Sequence, residues 1–123
     1  MENSSFARNI HPFVEAELQK ATALSAQDQA QPAFTHLESA HVLGQASTAQ
    51  HVRVHWRMFL WGLQQRNIKE CLGQLLRIVG AATKTVFGLV PHGNTGGSNV
   101  SPFKPMPLPP ELEMRIKQAH RTI

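Results

Sequence analysis

Residues 47–70 read STAQHVRVHWRMFLWGLQQRNIKE, and two helix starts are written into them. Ser47-x-x-Gln50 and Asn67-x-x-Glu70 both have the spacing of a capping box, in which an oxygen side chain and a Gln or Glu three residues on satisfy orphan backbone N–H groups. After the first cap, Trp56, Phe59 and Leu63 recur at helical spacing to about Arg66. After the second, Leu72, Leu75, Leu76, Val79 and Val86 continue a helix for which Gly88 is a natural stop. Helices joined by so short a link are antiparallel neighbours.

Two more helices precede this pair. Phe6, Ile10, Val14, Ala21 and Leu24 mark one side of a helix over Phe6–Ala26. Pro12 is tolerable in its opening turns, or sets its start. The polar break Gln27-Asp28-Gln29 ends it, and Pro32 suits the first turn of a second helix reaching Leu43, with Gly44 beyond. Small residues at Ala33, Ala40, Gly44, Gly73 and Gly80 allow close helix approach. The fold class is therefore all-α: an antiparallel four-helix bundle, or helical hairpins of the tetratricopeptide kind. Ala33/Phe34 and Ile68/Lys69 open successive pairs near the 34-residue tetratricopeptide period, but the consensus between them is absent.

From Pro91 the character changes. PHGNTGGSNVSPFKPMPLPP, residues 91–110, is too rich in proline and glycine for a helix or a central strand. Its apolar anchors Val100, Phe103, Met106 and Leu108 predict an ordered strap laid across the helices; on composition alone the alternative is a mobile tail. Pro110 then leads into a short last helix. The expected organisation is one domain over 1–123, with a helical body at 6–88, the strap at 89–110 and a last helix at 111–119.

Composition narrows the function classes. The net charge of +4 comes from 12 Lys and Arg against 8 Asp and Glu, without a basic run, so the footprint of a nucleic-acid protein is missing. The single cysteine, Cys71, excludes an internal disulfide. Residues 1–13 lack the basic start and apolar core of a secretory signal. The most apolar window, Leu72–Val90, is broken by Gln74, Arg77 and Lys84, short of the roughly 18 apolar residues of a membrane span. A cytoplasmic protein that binds neither nucleic acid nor membrane is the expectation.

The chemistry concentrates in residues 36–55, which hold four of the seven histidines. His51-x-x-x-His55 puts two imidazoles on one side of a helix. His41 falls on the apolar face of the preceding helix with Glu38 on its edge, and the short connection brings both to the same end of the hairpin; His36 points away. Glu17 lies within the apolar face of the first helix and needs a partner, an imidazole or arginine of the hairpin being the obvious one. His41, His51, His55, Glu38 and Glu17 thus form the candidate ligand set for zinc, copper, nickel or iron. Glu38-x-x-His41 has the spacing of ferritin-like dimetal bundles, which need a second such motif and two further glutamates. The alternative is a set of buried His–Glu hydrogen bonds that fix helix register without a ligand. Met58 and Trp56 or Trp61 are read as core and not as cofactor contacts.

Other motifs are weaker. His51–His55 lacks the glutamate of a zincin. Cys71, early in its helix, reads as a buried inert thiol. Gly93-Asn94-Thr95-Gly96-Gly97 resembles a phosphate cradle in composition only and reads as a backbone turn. Arg53 and Arg57 at i, i+4 read as a solvated face. No nucleophile or oxyanion arrangement is visible, so neither catalytic nor organic-cofactor residues are assigned and a non-enzymatic role is favoured.

HLESAHVLGQ (36–45), HVRVHWRM (51–58), GQLLRIVGAATKT (73–85) and GLVPHGNTGGSNVSPFKPMPLPPEL (88–112) together resemble a family of small bacterial proteins, a domain of unknown function of about this length. The resemblance spans nearly the whole chain; the histidine hairpin and the Asn-Thr-Gly-Gly strap are its most specific parts. It implies a bacterial source and a loose connection with heavy-metal resistance loci, and supplies no activity. The function expected is binding of a transition metal, or a metal-containing ligand, through the histidine cluster, accessory to metal resistance or homeostasis. The alternative is a protein–protein interaction module without a metal site, engaging a partner or a second copy through its helical hairpins.

Overall fold

A computed structural model describes residues 4–84, 93–101 and 104–121. Five helices make up the fold: α1 Ser4–Ala26, α2 Ala30–Gly44, α3 Thr48–Gln64, α4 Ile68–Lys84 and α5 Pro110–Arg121. The all-α class and the short last helix are as expected. Val86, Gly88 and Phe103, and residues 89–92 of the expected strap, lie outside the described residues.

Both cap residues act at the predicted places. Ser47 is extended, and its side chain accepts the Gln50 backbone N–H. Asn67 Oδ1 accepts the Glu70 N–H at 3.0 Å. The glutamine and glutamate of the two boxes are drawn into tertiary contacts. Gln50 meets His11 Nδ1 at 2.9 Å and Arg53 at 3.3 Å, while Glu70 reaches Gln74 and Ser98. Pro12 lies well inside α1, which starts at Ser4.

α1 and α2 form one antiparallel hairpin, and α3 and α4 the next. α2 packs on α3 to join them, and α5 returns onto α1 and α2. The Phe6 and His120 rings stack there at 4.2 Å, and Asn9 donates to the Ala119 carbonyl at 2.9 Å. Among the described helices α4 contacts only α3, so of the two expected architectures the structure takes the hairpin array and not the closed bundle. The core runs through Phe6, Ile10, Val14, Leu18 and Ala21 of α1, Phe34, Leu37 and Ala40 of α2, and Val54, Met58 and Trp61 of α3. Each large apolar side chain so buried contributes about 1.5–3 kcal/mol. Of the two tryptophans offered for the core, Trp61 is buried and Trp56 is half exposed.

α4 is turned the other way from what its leucines imply. Glu70, Gln74 and Ala81 are buried, whereas Ile68, Leu72, Leu75, Leu76 and Val79 are exposed. The reason lies in the strap, whose residues 93–101 run along the inner side of α4. Gly73 admits it, since a Cβ there would stand 2.7 Å from Ser98 Cβ; the small residue makes room for a loop and not for a helix. Arg77 donates to the Val100 carbonyl at 2.6 Å. Gly93 and Gly96 take positive φ values of 75° and 86°, the left-handed turns that glycine adopts without steric cost.

Candidate metal centre

α2 and α3 are separated by residues 45–47 alone, and Gly44 sits so close to α3 that a Cβ would meet Gln50 Cβ at 2.9 Å. This places His41, in the last turn of α2, opposite His51 and His55 in the first two turns of α3. All three rings are buried. His41 Nε2 lies 3.0 Å from His51 Nε2 and 3.1 Å from His55 Nε2. One nitrogen from each ring falls within 4.8 Å of the other two.

The outer ring nitrogens fix the protonation pattern. His41 Nδ1 is 2.6 Å from the backbone carbonyl of Asn94, an acceptor only, so Nδ1 carries the proton and Nε2 a lone pair. His55 Nδ1 is 2.6 Å from Gln74 Oε1. The Gln74 amide is oriented by its own partners, because Nε2 donates to Glu70 Oε2 at 2.6 Å and to the Gly96 carbonyl at 2.9 Å. Its oxygen therefore accepts from His55, and His55 Nε2 also carries a lone pair. In the neutral rings both inner lone pairs thus point toward the centre of the triad, where the two Nε2 atoms lie 3.1 Å apart.

Outside the rings a continuous network ties helix to strap. Glu70 accepts from the Ser98 hydroxyl at 2.8 Å and from the Ser98 N–H at 3.2 Å. Asn94 donates to the carbonyls of Ser101 and Lys104 at 2.8 and 2.7 Å, and its Oδ1 accepts the Gly96 N–H at 2.9 Å. Burial, with the neighbouring His55 and His51, holds the His41 imidazole well below the usual histidine range. The ring is thus neutral near pH 7, as a metal ligand must be.

The two carboxylates of the candidate set are not brought into this group. Glu17 is buried in α1 beside His36, with Nδ1 at 3.4 Å, and Lys20, with Nζ at 3.4 Å from Oε2. Its partner is thus an imidazole of α2, though His36 and not a member of the triad. Glu38 is half-buried; burial, then the charge of Glu70, raises its carboxyl above the ordinary range. It lines a surface cleft with Thr35, Thr95 and Met106.

Elsewhere, Arg53 pairs with Glu15, and Arg57 donates to Thr22 Oγ1 at 2.6 Å and the Leu18 carbonyl at 3.3 Å; the two arginines bind α1 to α3. Cys71 is half-buried, its thiol 3.9 Å from the Phe59 carbonyl. Gln74, Asn94, Gly96, Glu70 and Ser98 escaped the sequence reading as site residues. The available signals were a glutamine inside the most apolar window and the specificity of the Asn-Thr-Gly-Gly stretch.

No helix among the described residues is long and apolar enough to cross a membrane. No curated protein and no solved structure matches the chain. A family model does match, over residues 8–116, and so takes in the triad, the strap and most of α5. The chain belongs to that family, DUF3703, described as protein of unknown function.

Proposed function

We propose that the protein binds one transition-metal ion through Nε2 of His41, His51 and His55, and serves as a small metal-handling protein. The observation that carries this is the convergence of three buried ring nitrogens, His41 Nε2 standing 3.0 Å from His51 Nε2 and 3.1 Å from His55 Nε2. The outer nitrogens of His41 and His55 donate to carbonyl-type oxygens, which turns the lone pair of each neutral ring inward. Such a pair is stable around a shared cation, and burial disfavours a proton as that cation.

Three neutral imidazoles select a borderline metal such as zinc, copper, nickel or iron over calcium or magnesium, which take oxygen. Tetrahedral zinc with Zn–N of about 2.0–2.1 Å sets its nitrogens about 3.3 Å apart. From 3.0 and 3.1 Å the His41–His51 and His41–His55 pairs need spread by only a few tenths of an ångström, and all three nitrogens lie within 4.8 Å of one another. The Asn94 carbonyl and Gln74 amide orient two of the ligands, as carbonyls and carboxylates do around metal-bound histidine. A metal-containing ligand entering through the same three nitrogens fits this reading as well.

The test is metal analysis of protein purified without a histidine tag, with calorimetric titration of zinc and copper into wild type and a His51→Ala/His55→Ala double variant. One equivalent in wild type and none in the variant is expected. Equal affinity in the two proteins ends the proposal.

A further inference from the structure

The outward apolar face of the second hairpin is the other feature the fold leaves in need of an explanation. On α4, Ile68, Leu72, Leu75 and Val79 follow one another at intervals of four, three and four, with Leu76 beside them; their exposures are 73, 58, 45, 68 and 76 %. On α3, Trp56, Leu60 and Leu63 repeat four-then-three spacing at exposures of 49, 37 and 53 %. That alternation is the a/d seam by which one helix packs along another. It appears side by side on both helices of a single hairpin. The stripe's own positions on α4 are all aliphatic; Lys69 borders it beside Leu76, and Arg77 lies on the other side of the helix.

α4 cannot turn these side chains inward. Residues 70 and 74 stand on the opposite side of the helix, and their bonds to Ser98, Gly96 and His55 fix its rotation. A monomer with this surface would keep in water an apolar patch well beyond the few hundred Å² usual for one. At the exposures above, on side chains of this size, the patch covers roughly 800 Å², the area each partner contributes to a standard stable interface.

We infer that two copies of the chain associate through their α3/α4 hairpins, face to face about a twofold axis, completing between them the four-helix bundle that neither contains alone. The area suits a dimer, and a seam carrying a/d spacing on two adjacent antiparallel helices is the surface another such hairpin fits. Aliphatic along α4, with the single charge of Lys69 at its edge, it suits a second copy of itself and carries no acidic-and-basic pattern that would select a different chain. His51 and His55 lie on the far side of α3 from Leu60, so the seam and the candidate metal centre do not compete for the same surface.

Sedimentation velocity over about 1–100 µM, a range that brackets micromolar dimer affinity, tests this. Wild type should sediment at twice 13.7 kDa with or without chelator. Leu72→Glu/Leu76→Glu, at positions exposed enough to leave the fold intact, should sediment at 13.7 kDa with unchanged helical circular dichroism, and Leu63→Glu should weaken the dimer from α3 independently. Wild type that stays monomeric throughout the range overturns the inference, whether or not it then binds phosphatidylcholine/phosphatidylglycerol vesicles. So does a mass that climbs without closing at two, or a double variant that keeps the wild-type mass.

Discussion

Gly96 lies flat against the imidazole of His41: a Cβ on Gly96 would stand 2.5 Å from His41 Cδ2 and 2.9 Å from Nε2. The strap therefore closes over the proposed metal-binding nitrogens with bare backbone, and the 86° φ of Gly96 makes any side chain there doubly unfavourable. Gly96→Ala should lower stability by about 1–3 kcal/mol through backbone strain and overpacking. By displacing His41 it should also weaken zinc binding about 10–100-fold, the size of effect seen when support for a ligand is lost. Thermal unfolding and calorimetry measure the two effects separately. Unchanged affinity would mean that His41 does not need this contact.

Gln74 is the hinge of the network, accepting from His55 and donating to Glu70 and Gly96 while fully buried. Gln74→Leu keeps the volume but removes the side-chain partner of the Gly96 carbonyl and of the His55 Nδ1–H, and leaves Glu70 to Ser98. A cost of about 2–4 kcal/mol in urea unfolding is expected, above that of one lost hydrogen bond. His55 would then be free to change tautomer, and zinc affinity should fall with it. A cost below about 0.5 kcal/mol would place this network outside the folding energetics.

The helices were legible in the sequence because what makes them is local: the Ser47 and Asn67 caps and the 3.6-residue recurrence of Phe6, Ile10 and Val14. The histidine triad was legible for a related reason, since i, i+4 spacing and a three-residue link leave the three rings little freedom to diverge. The rotation of α4 was not. Leu72, Leu75, Leu76 and Val79 make a better apolar face than anything opposite them, and a pattern-based reading sends that face inward. The decision was made instead by Glu70 and Gln74, through partners at residues 55, 96 and 98 that sequence spacing cannot bring together. Polar groups that satisfy one another across long separations leave no periodic trace. Glu17 illustrates the converse: its need for a partner was readable, but the choice of His36 over His41 depended on how α1 docks on α2.

Glu17→Gln separates the two buried polar clusters. Glu17 is held by His36 and Lys20 at the α1/α2 contact, apart from the group His41, His51 and His55. Zinc stoichiometry and affinity should be those of wild type, while stability changes by no more than about 1–2 kcal/mol, because removing a buried carboxylate also removes its desolvation cost. Loss of a zinc equivalent would bring Glu17 back as a ligand and require α1 to shift.

Acid should destabilise the metal-free protein through His41. Its pKa in the folded state is depressed, first by burial and then by the neighbouring His55 and His51, whereas in the unfolded chain it titrates near 6.5. Between those two values the unfolded state binds a proton that the folded state refuses, so unfolding free energy rises with pH and falls as the solution is acidified below about 6.5. The slope from this one group approaches about 1.4 kcal/mol per pH unit until the folded-state value is reached. Urea unfolding in the presence of chelator at pH 7.5, 6.5 and 5.5 should show the loss, and His41→Phe should flatten it. Bound zinc steepens the dependence, because each ligand must shed its proton before coordinating and the metal's contribution drains away over the same interval. A stability that stays level across this range in the chelated wild-type protein would mean that His41 takes up its proton as readily folded as unfolded, and the neutral ring that the metal reading needs would fail with it.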